Sequence, residues 1–406
     1  MTDVGTTVVL FNRDLRVGDH PALVAAAERG PVAPLFVLDP ALLRRAAPNR
    51  VRFLLESLTD LRESLRTLGA EMIVRTGDTV TETVAVARAT GATNIATSAD
   101  VSAFAQCRQR MLAYACAQSG VTLELHPGVT IVAPGALRPA GGDHYRVFTP
   151  YWRRWSSVTW RDVHDPPAAL ALASGVDAGE LPALDALTAG PCSPAVVPGG
   201  EQAGLARLDA WLDGPTQGPW DTSRLSAYLR FGCVSPLEVA CRVAGRGGGA
   251  ADELVRQLCW RDFFHQVVAA FPAITHRDYR PRPNRPWRVD PAAFADWTDG
   301  VTGVPLVDAG MRQLKHEGWM PNRARLVAAS YLSKTLGIDW RLGAAQFSAW
   351  LVDGDVPCNY GNWQWAAGTG NDTRPNRVLN PVAQARRFDR DGAYVRRWLT
   401  DEAPAS

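Results

Sequence analysis

Five short apolar runs, separated by longer amphipathic stretches, fill the first 130 residues. The runs are "TVVLF" (7–11), "APLFVLD" (33–39), "EMIVRT" (71–76), "TNIATS" (93–98) and "VTLELH" (121–126). Helix-like segments lie between them, at about 20–30, 49–69, 78–91 and 102–119. Strands that alternate with helices imply right-handed crossovers, and hence a parallel, doubly wound sheet. Such sheets often take a nucleotide at the first βα turn. Here that turn reads "FNRDLRVGDHPAL" and lacks the GxGxxG that lets backbone approach a pyrophosphate. The expected fold is Rossmann-like without the dinucleotide fingerprint.

The second half has a different period. Residues 131–200 are rich in Pro, Gly and Ala and read as a long connection. From about 201 to 399 helical spacing dominates. "ELVRQLCWRDFFHQVVAAF" (253–271) has apolar residues at 254, 258, 263, 264, 267 and 268, which predicts a helix with a broad buried face. "NRARLVAASYLSKTLG" (322–337) predicts another, closed by Gly337. "SPLE" (235–238) has the form of a capping box with Pro at the first helical position. A chain of 406 residues is too long for one core. The expected division is an α/β domain at 1–130, a linker at 131–200 and an all-α domain at 201–406.

Composition narrows the class. Hydrophobic residues make up 46% and charged residues 21%, as in an ordinary globular protein. The N-terminus has no signal-peptide pattern, and no apolar stretch is long enough to cross a bilayer. The protein is therefore expected to be cytoplasmic and monomeric, with no membrane partner. Its seven Cys are scattered without a CxxC pair, which argues against a disulfide framework or a zinc site. Net charge is only +2, so attraction to nucleic acid must come from local patches. Two segments qualify: 277–288 with five Arg against one Asp, and 374–397 with seven Arg against two Asp. Trp is unusually frequent, with 14 in the chain and none before residue 150.

Four stretches carry candidate chemistry. "DTSRLSAYLRFG" (221–232) places Thr222, Ser223 and Ser226 at a helix start, either an ordinary N-cap or an anion site. Gln257, Trp260, Arg261 and Phe264 share one helix face, able to pack or to stack a flat ligand. Asn322, Arg323 and Arg325 follow a Gly-Trp-Met-Pro turn. "DGDVPCNYGNWQWAAGTGND" (353–372) gathers three Asp, two Trp and four Gly in a window that fits neither a strand nor a helix period.

Together "NRDLRVGDHPAL", "YRVFTPYWRRW", "TSRLSAYLRFGCVSP", "LCWRDFFHQV", "DAGMRQLKHEGWMPNRARLVAASYL" and "DGDVPCNYGNWQWAAGTGNDTRPNRVLNP" resemble the photolyase/cryptochrome family, in family order across essentially the whole chain. The resemblance is closest to the bacterial class I cyclobutane pyrimidine dimer photolyases. It implies an antenna domain followed by a helical domain that binds a bent FAD, which accounts for the missing GxGxxG. By motif, Thr222, Ser223, Arg224, Leu225 and Ser226 would hold the FAD phosphates. Asn322, Arg325, Asp353, Gly354 and Asp355 would line the flavin, and Asn359 would face its N5. Trp363, Trp340 and Trp287 match the family's electron-transfer chain, from the flavin outward. Trp260 and Trp365 match aromatics that hold a flipped-out dimer. Gln257, Arg261, Asn322, Arg323 and Arg377 match lesion- or DNA-contacting positions. The implied reaction is light-driven: reduced FAD donates an electron to the dimer, the ring splits and the electron returns. The implied partner is UV-damaged DNA, and no metal is required.

The chain departs from that pattern in places. Gln257 stands where class I members carry a Glu, and Leu326 replaces a Met. The stretch before "TSRLS" is short and lacks a Tyr that relatives place on the phosphates. The sequence also ends short of a C-terminal segment common in the family. Pro321 and Asn322 stand where a (6-4) photolyase would carry a His pair, whereas Gln257 is a feature those enzymes share. A cryptochrome-type photoreceptor would keep FAD and the Trp chain without repair. Phe104 and Ala105 replace the Asn-Glu pair of folate-binding relatives, so an 8-hydroxy-deazaflavin-type antenna, or none, is expected.

Overall fold

Runs of apolar side chains that must be covered on both faces build the first half. The computed structural model describes residues 5–214, 220, 222–281 and 286–400. Strands β1 (Thr7–Phe11), β2 (Val32–Leu38), β3 (Ile73–Thr76), β4 (Asn94–Ser98) and β5 (Thr122–His126) form one parallel sheet in the order β3-β2-β1-β4-β5. Helices α1 (Pro21–Arg29), α2 (Pro40–Leu43), α3 (Pro48–Thr67), α4 (Thr79–Ala89) and α5 (Ala103–Ser119) accompany them. Every residue of β1 and β2 is buried. Their side chains divide by the strand period: Val9, Phe11, Phe36 and Leu38 enter one cluster, and Val8, Leu10, Leu35 and Val37 the other. The strands and the four longer helices fall within two residues of where the periodicity places them. The one-turn α2, capped by Asp39 and opened by Pro40, was not expected.

The rest of the described chain is helical. It comprises α6 (Phe148–Trp155), α7 (Leu184–Leu187), α8 (Glu201–Asp213), α9 (Ser226–Phe231), α10 (Pro236–Arg246) and α11 (Gly249–Ala270). Beyond these lie α12 (Pro291–Asp299), α13 (Pro305–Glu317), α14 (Asn322–Ser330), α15 (Trp340–Trp350), α16 (Val356–Ala367), α17 (Pro381–Phe388) and α18 (Ala393–Leu399). One sheet face and the helical half share a core, in which Phe53 of α3 meets Tyr228 and Phe231 of α9. Among the described residues no helix is long and apolar enough to cross a membrane.

Two local expectations are corrected. Ser235 does cap α10, accepting from the N–H groups of Leu237 and Glu238. Glu238 does not close the box; it turns to Arg242, one helical turn on, at 3.7 Å. The helix expected over 322–337 ends at Ser330 and continues as a π turn, Tyr331–Thr335, before Gly337 takes a left-handed φ of 71°.

The stretch expected as a connection is laid along the sheet. The Val32 N–H reaches Ala171 O at 2.7 Å, and Ala173 N–H returns to Val32 O at 3.0 Å. Val74 of the outer strand β3 donates to Ala178 O at 2.6 Å, which covers an edge that would otherwise invite pairing. The same stretch carries α6 and is latched to α11 by one carboxylate. Asp262 is buried, and its Oδ2 accepts from Ile131 N–H (3.1 Å), Val132 N–H (2.9 Å) and Trp155 Nε1 (3.0 Å). Burial pushes the Asp262 carboxyl up to about 6, against those donors and the Arg261 charge. Between the unfolded value near ~4 and that value, the native state binds more protons, so stability falls as pH rises through this window. Asp262→Asn should remove on the order of 2–3 kcal/mol from the stability difference between about pH 4 and about pH 7, read from the unfolding free energy in urea at each pH.

Candidate functional site

The bend at 353–355 is built by exclusion of side-chain volume. After α15, Gly354 N–H returns to Leu351 O at 3.3 Å, and a Cβ on Gly354 would lie 2.8 Å from the Arg50 guanidinium. Glycine lets the two flanking carboxylates turn inward. Asp353 forms a bidentate pair with Arg325 of α14 (3.0 and 2.7 Å), and Arg325 Nε also binds Met320 O at 2.8 Å. Asp355 receives Arg13 Nη2 at 2.6 Å, from the loop after β1. Among the described residues its other oxygen, Oδ2, is buried without a hydrogen-bond partner, as is Nε2 of His265, 3.9 Å away. Burial alone would raise the Asp355 carboxyl, but Arg13, His265, Arg261 and Arg230 hold it well below the usual carboxylate range. Burial, reinforced by the Arg261 charge, lowers His265 to about 4, so its ring is neutral near pH 7. Cys358 lies within reach of both groups. Its thiol is pushed well above its ordinary value by burial, and the nearby Arg13 and Arg261 charges oppose a cation there.

Close helix packing places the indoles. Gly361 of α16 faces the Phe264 ring of α11, and Gly343 of α15 faces the Trp363 ring; a Cβ at either would overlap it. Trp363 is thereby buried, edge-on to Phe347 at 4.9 Å and to Trp297 at 6.0 Å, with its Nε1 unpartnered. Trp340 is fully buried; its Nε1 donates to Asp278 at 3.0 Å, and Arg341 lies over the ring at 4.7 Å. Trp287 is half-buried against the same cluster, and Arg288 N–H to Gly337 O (2.8 Å) brings its segment beside α15. The three indoles of the expected chain are therefore in one cluster. Asn359 donates to Ala344 O (3.1 Å) and Ser348 Oγ (2.9 Å), which leaves its carboxamide oxygen for a ligand.

The 222–226 loop corrects the simple N-cap reading. Helix α9 starts at Ser226 with Leu225 before it, and no hydroxyl caps it. Instead Arg224 takes a left-handed φ of 54° and Leu225 follows at φ −79°, ψ −5°. Successive residues of opposite hand turn their N–H groups into one concavity, a known form of anion site. Arg207 holds the outer side, donating to Ser223 O (2.9 Å) and Thr222 O (3.2 Å), and Ser226 Oγ accepts from Trp319 Nε1 at 3.0 Å. Asp221 and the short stretch at 215–219, where the missing Tyr was noted, lie outside the described residues. The concave 222–226 loop and the atoms of Asp355, His265 and Trp363 that have no partner among the described residues fit a phosphate-bearing, hydrogen-bonding cofactor of FAD type.

Comparison with known proteins gives the family. The family model described as DNA photolyase matches residues 7–171, and the FAD binding domain of DNA photolyase matches 254–404. The chain is 47% identical to the deoxyribodipyrimidine photo-lyase of Streptomyces griseus, over 98% of this chain and 90% of that one. The chain belongs to the DNA photolyase family. In structure this photolyase is similar to a bacterial class III photolyase from Agrobacterium tumefaciens, with a TM-score of 0.90 and 32% identity over 97% of this chain and 86% of that one. It is also similar to a Synechocystis cryptochrome, with a TM-score of 0.89 and 31% identity over 98% and 89%.

The expected DNA-side residues differ in exposure and in what each touches. Gln257 is exposed, and its Nε2 donates to Glu253 at 2.6 Å. Trp260 is half-buried with its ring stacked on Phe148 at 3.7 Å. Asn322 is exposed at the start of α14, while Arg323 packs over Phe388 at 4.3 Å. Arg377 is exposed, its guanidinium 5.6 Å from the half-buried Trp365 ring. Arg261 is a correction: it is buried, with its guanidinium on the carbonyls of Val129 and Leu229, so it ties α11 to the domain junction. The 374–397 arginine run also divides. Arg386, Arg387 and Arg390 line one open basin with Asn380, whereas Arg397 lines a separate cavity. Arg282 and Arg285 of the other basic segment lie outside the described residues.

Sequence reasoning missed Arg13, Arg50, Arg230 and His265. Arg13 lay in a quoted motif, but nothing local marks it as the partner of a carboxylate 342 positions away. Removing its guanidinium takes the directly bonded cation from buried Asp355 and Asp100. Arg13→Met should therefore cost about 3–5 kcal/mol of stability in urea unfolding, and adding Asp355→Asn should recover part of it.

Proposed function

We propose that this protein is a deoxyribodipyrimidine photo-lyase, splitting cyclobutane pyrimidine dimers in UV-damaged DNA under blue light. The observation that carries the reading is the convergence on α11, α14, α15 and α16 of buried, partly unpartnered polar groups with a cluster of indoles. Reduced FAD, when bound, supplies the light-excited electron that opens the dimer and then returns. The other steps belong to the chain. Thr222, Ser223, Arg224, Leu225 and Ser226 hold the diphosphate by backbone N–H groups, supported by the left-handed Arg224. Asn322, Arg325, Asp353, Gly354 and Asp355 would line the flavin ring and ribose, and Asn359 would offer its free carboxamide oxygen to N5. Burial of the site excludes water, which strengthens each of these contacts.

Trp363, Trp340 and Trp287 pass an electron between the interior and the surface. An indole can give up an electron, and the Asp278 carboxylate on Trp340 Nε1 favours a positive ring there. On the substrate side, Trp260 and Trp365 stack or flank the extruded bases, and Gln257, Asn322, Arg323 and Arg377 contact the lesion or its backbone. The 386–390 arginines supply further phosphate contacts. For the antenna we favour an 8-hydroxy-deazaflavin type, or none, in the crevice where strand order reverses between β1 and β4. At that crevice the exposed Phe104 opens α5, and Asp100 pairs with Arg13 at 3.3 Å.

A second reading, a light sensor without repair, is favoured by Gln257, whose amide has no proton to transfer and is already bonded to Glu253. One experiment separates the two. Protein with chemically reduced flavin is mixed with an oligonucleotide bearing one thymine cyclobutane dimer, then illuminated with blue light beside a dark control. Light-dependent dimer loss is expected; none, with flavin bound, would turn the reading to the sensor. Trp363→Phe should slow photoreduction of oxidised flavin by tenfold or more, on the order of ~1.4 kcal/mol in barrier, and leave repair by pre-reduced protein intact. Equal photoreduction rates would remove Trp363 from the chain. Gln257→Glu should raise the repair yield per absorbed photon, and an unchanged yield would show that the amide serves as well.

A further inference from the structure

Beside the 222–226 loop lies a cavity of about 320 Å³, lined by Arg207, Arg224, Arg397, Tyr228 and Val197. Three guanidinium groups arrive from three elements: α8, the loop and α18. Each is held in place by something other than an acid in the cavity. Arg207 is spent on the Thr222 and Ser223 carbonyls. Arg224 lies over Trp319 at 4.5 Å and pairs with Glu317 at 3.2 Å. Arg397 lies over Trp398 at 5.3 Å. Among the described residues Glu317 is the one carboxylate paired with the trio, and it is shared with Gln313 Nε2 at 2.8 Å. Among the described residues the positive charge therefore exceeds its compensation. The fourth polar group, the Tyr228 hydroxyl, lines the same space and bonds to no described residue. Burial raises its phenol to about 12, so it remains a donor at neutral pH.

The chemistry shared by these groups is donation to an oxyanion: three planar guanidinium forks that only donate, and a phenol whose O–H can donate beside them. The volume suits a small anion and is at the low end for an organic ligand. We propose that this cavity is a phosphate site distinct from the flavin pocket, and that a phosphate in it steadies the 222–226 loop. The link is Arg207, which lines the cavity and also holds the two loop carbonyls. An anion between Arg207, Arg224 and Arg397 relieves the repulsion that otherwise pulls them apart, and the loop N–H groups stay aligned. This coupling rests on the assignment of that loop to the flavin diphosphate. It is reciprocal: phosphate tightens flavin, and flavin tightens phosphate.

The test uses the flavin-loaded protein at constant ionic strength, with sodium chloride balancing added inorganic phosphate. Calorimetry reads phosphate binding, and the fluorescence of freed flavin reads its release on warming. Saturable binding with slower flavin release is expected. Arg397→Glu, at an exposed position, should lower phosphate affinity about tenfold or more, the worth of a lost charge-assisted contact. Its far-UV circular dichroism serves as the folding control. Arg390→Glu removes the same charge from the other basin and should keep the phosphate effect. Tyr228→Phe should weaken binding without changing the charge. Absence of saturable binding, or equal loss in Arg397→Glu and Arg390→Glu, overturns the site. An effect of undamaged duplex DNA but not of inorganic phosphate also overturns it and assigns the cavity to the DNA surface. Phosphate binding that disappears in Arg397→Glu but never changes flavin release keeps the site and overturns the coupling, while the loop's assignment to the flavin stands or falls separately on whether flavin is bound at all.

Discussion

The buried pairing of Arg13 with Asp355 and Asp100 is the constraint around which the two halves of the molecule are arranged. It joins the loop after β1, the loop after β4 and the first turn of α16, three segments far apart in the chain. Charges removed from water are expensive, and only close, well-directed partners offset the cost. That need fixes how the helical half sits on the sheet to within the length of a hydrogen bond. Arg16 repeats the device, reaching Gly232 O at 2.9 Å and Asp19 O at 2.9 Å. Gly232 is required there, since a side chain at its φ of 70° would run into the Arg13 carbonyl.

The same electrostatics prepare the site. Arg13 satisfies one Asp355 oxygen and leaves the other buried and open, opposite a neutral His265. Arg325 satisfies both oxygens of Asp353. The two carboxylates of "DGD" thus have different tasks although they are two residues apart: one braces α14, the other can still accept. Around them the aromatic core is rigid because glycines let α11, α15 and α16 approach closely. Buried indoles in a tightly packed, low-dielectric core keep fixed separations, which electron transfer through them requires.

Basic residues show a different division of labour. Some arginines, such as Arg261, serve as internal struts on backbone carbonyls. Others crowd two concavities on opposite sides of the α17–α18 turn in sequence, one with Arg386, Arg387 and Arg390 and the other with Arg397. A count of arginines along the chain cannot separate these uses, because each is decided by what the side chain meets after folding.

Much of the architecture was legible beforehand, because strand and helix periods are local properties of side-chain spacing. The five strands, the helices between them and much of the helical second half follow from that spacing, although α16 runs through the 353–372 window, which matched no helix period. The motifs also placed the candidate residues at 222–226, 322–325 and 353–365 in one domain. Expectation and structure differ at three local points. Glu238 abandons its cap for Arg242, α14 loosens into a π turn, and Thr222 and Ser223 surrender the cap so that Arg224 can turn left-handed. Sequence alone therefore determined the five strands and the helices of the periodic segments, their order, the helical character of the second half and the chemical types gathered at the site. Tertiary structure decided which carboxylate keeps an open oxygen, which arginines face inward, and that Arg13 joins the two halves. Those outcomes depend on burial and on contacts across hundreds of residues, and no periodicity encodes them.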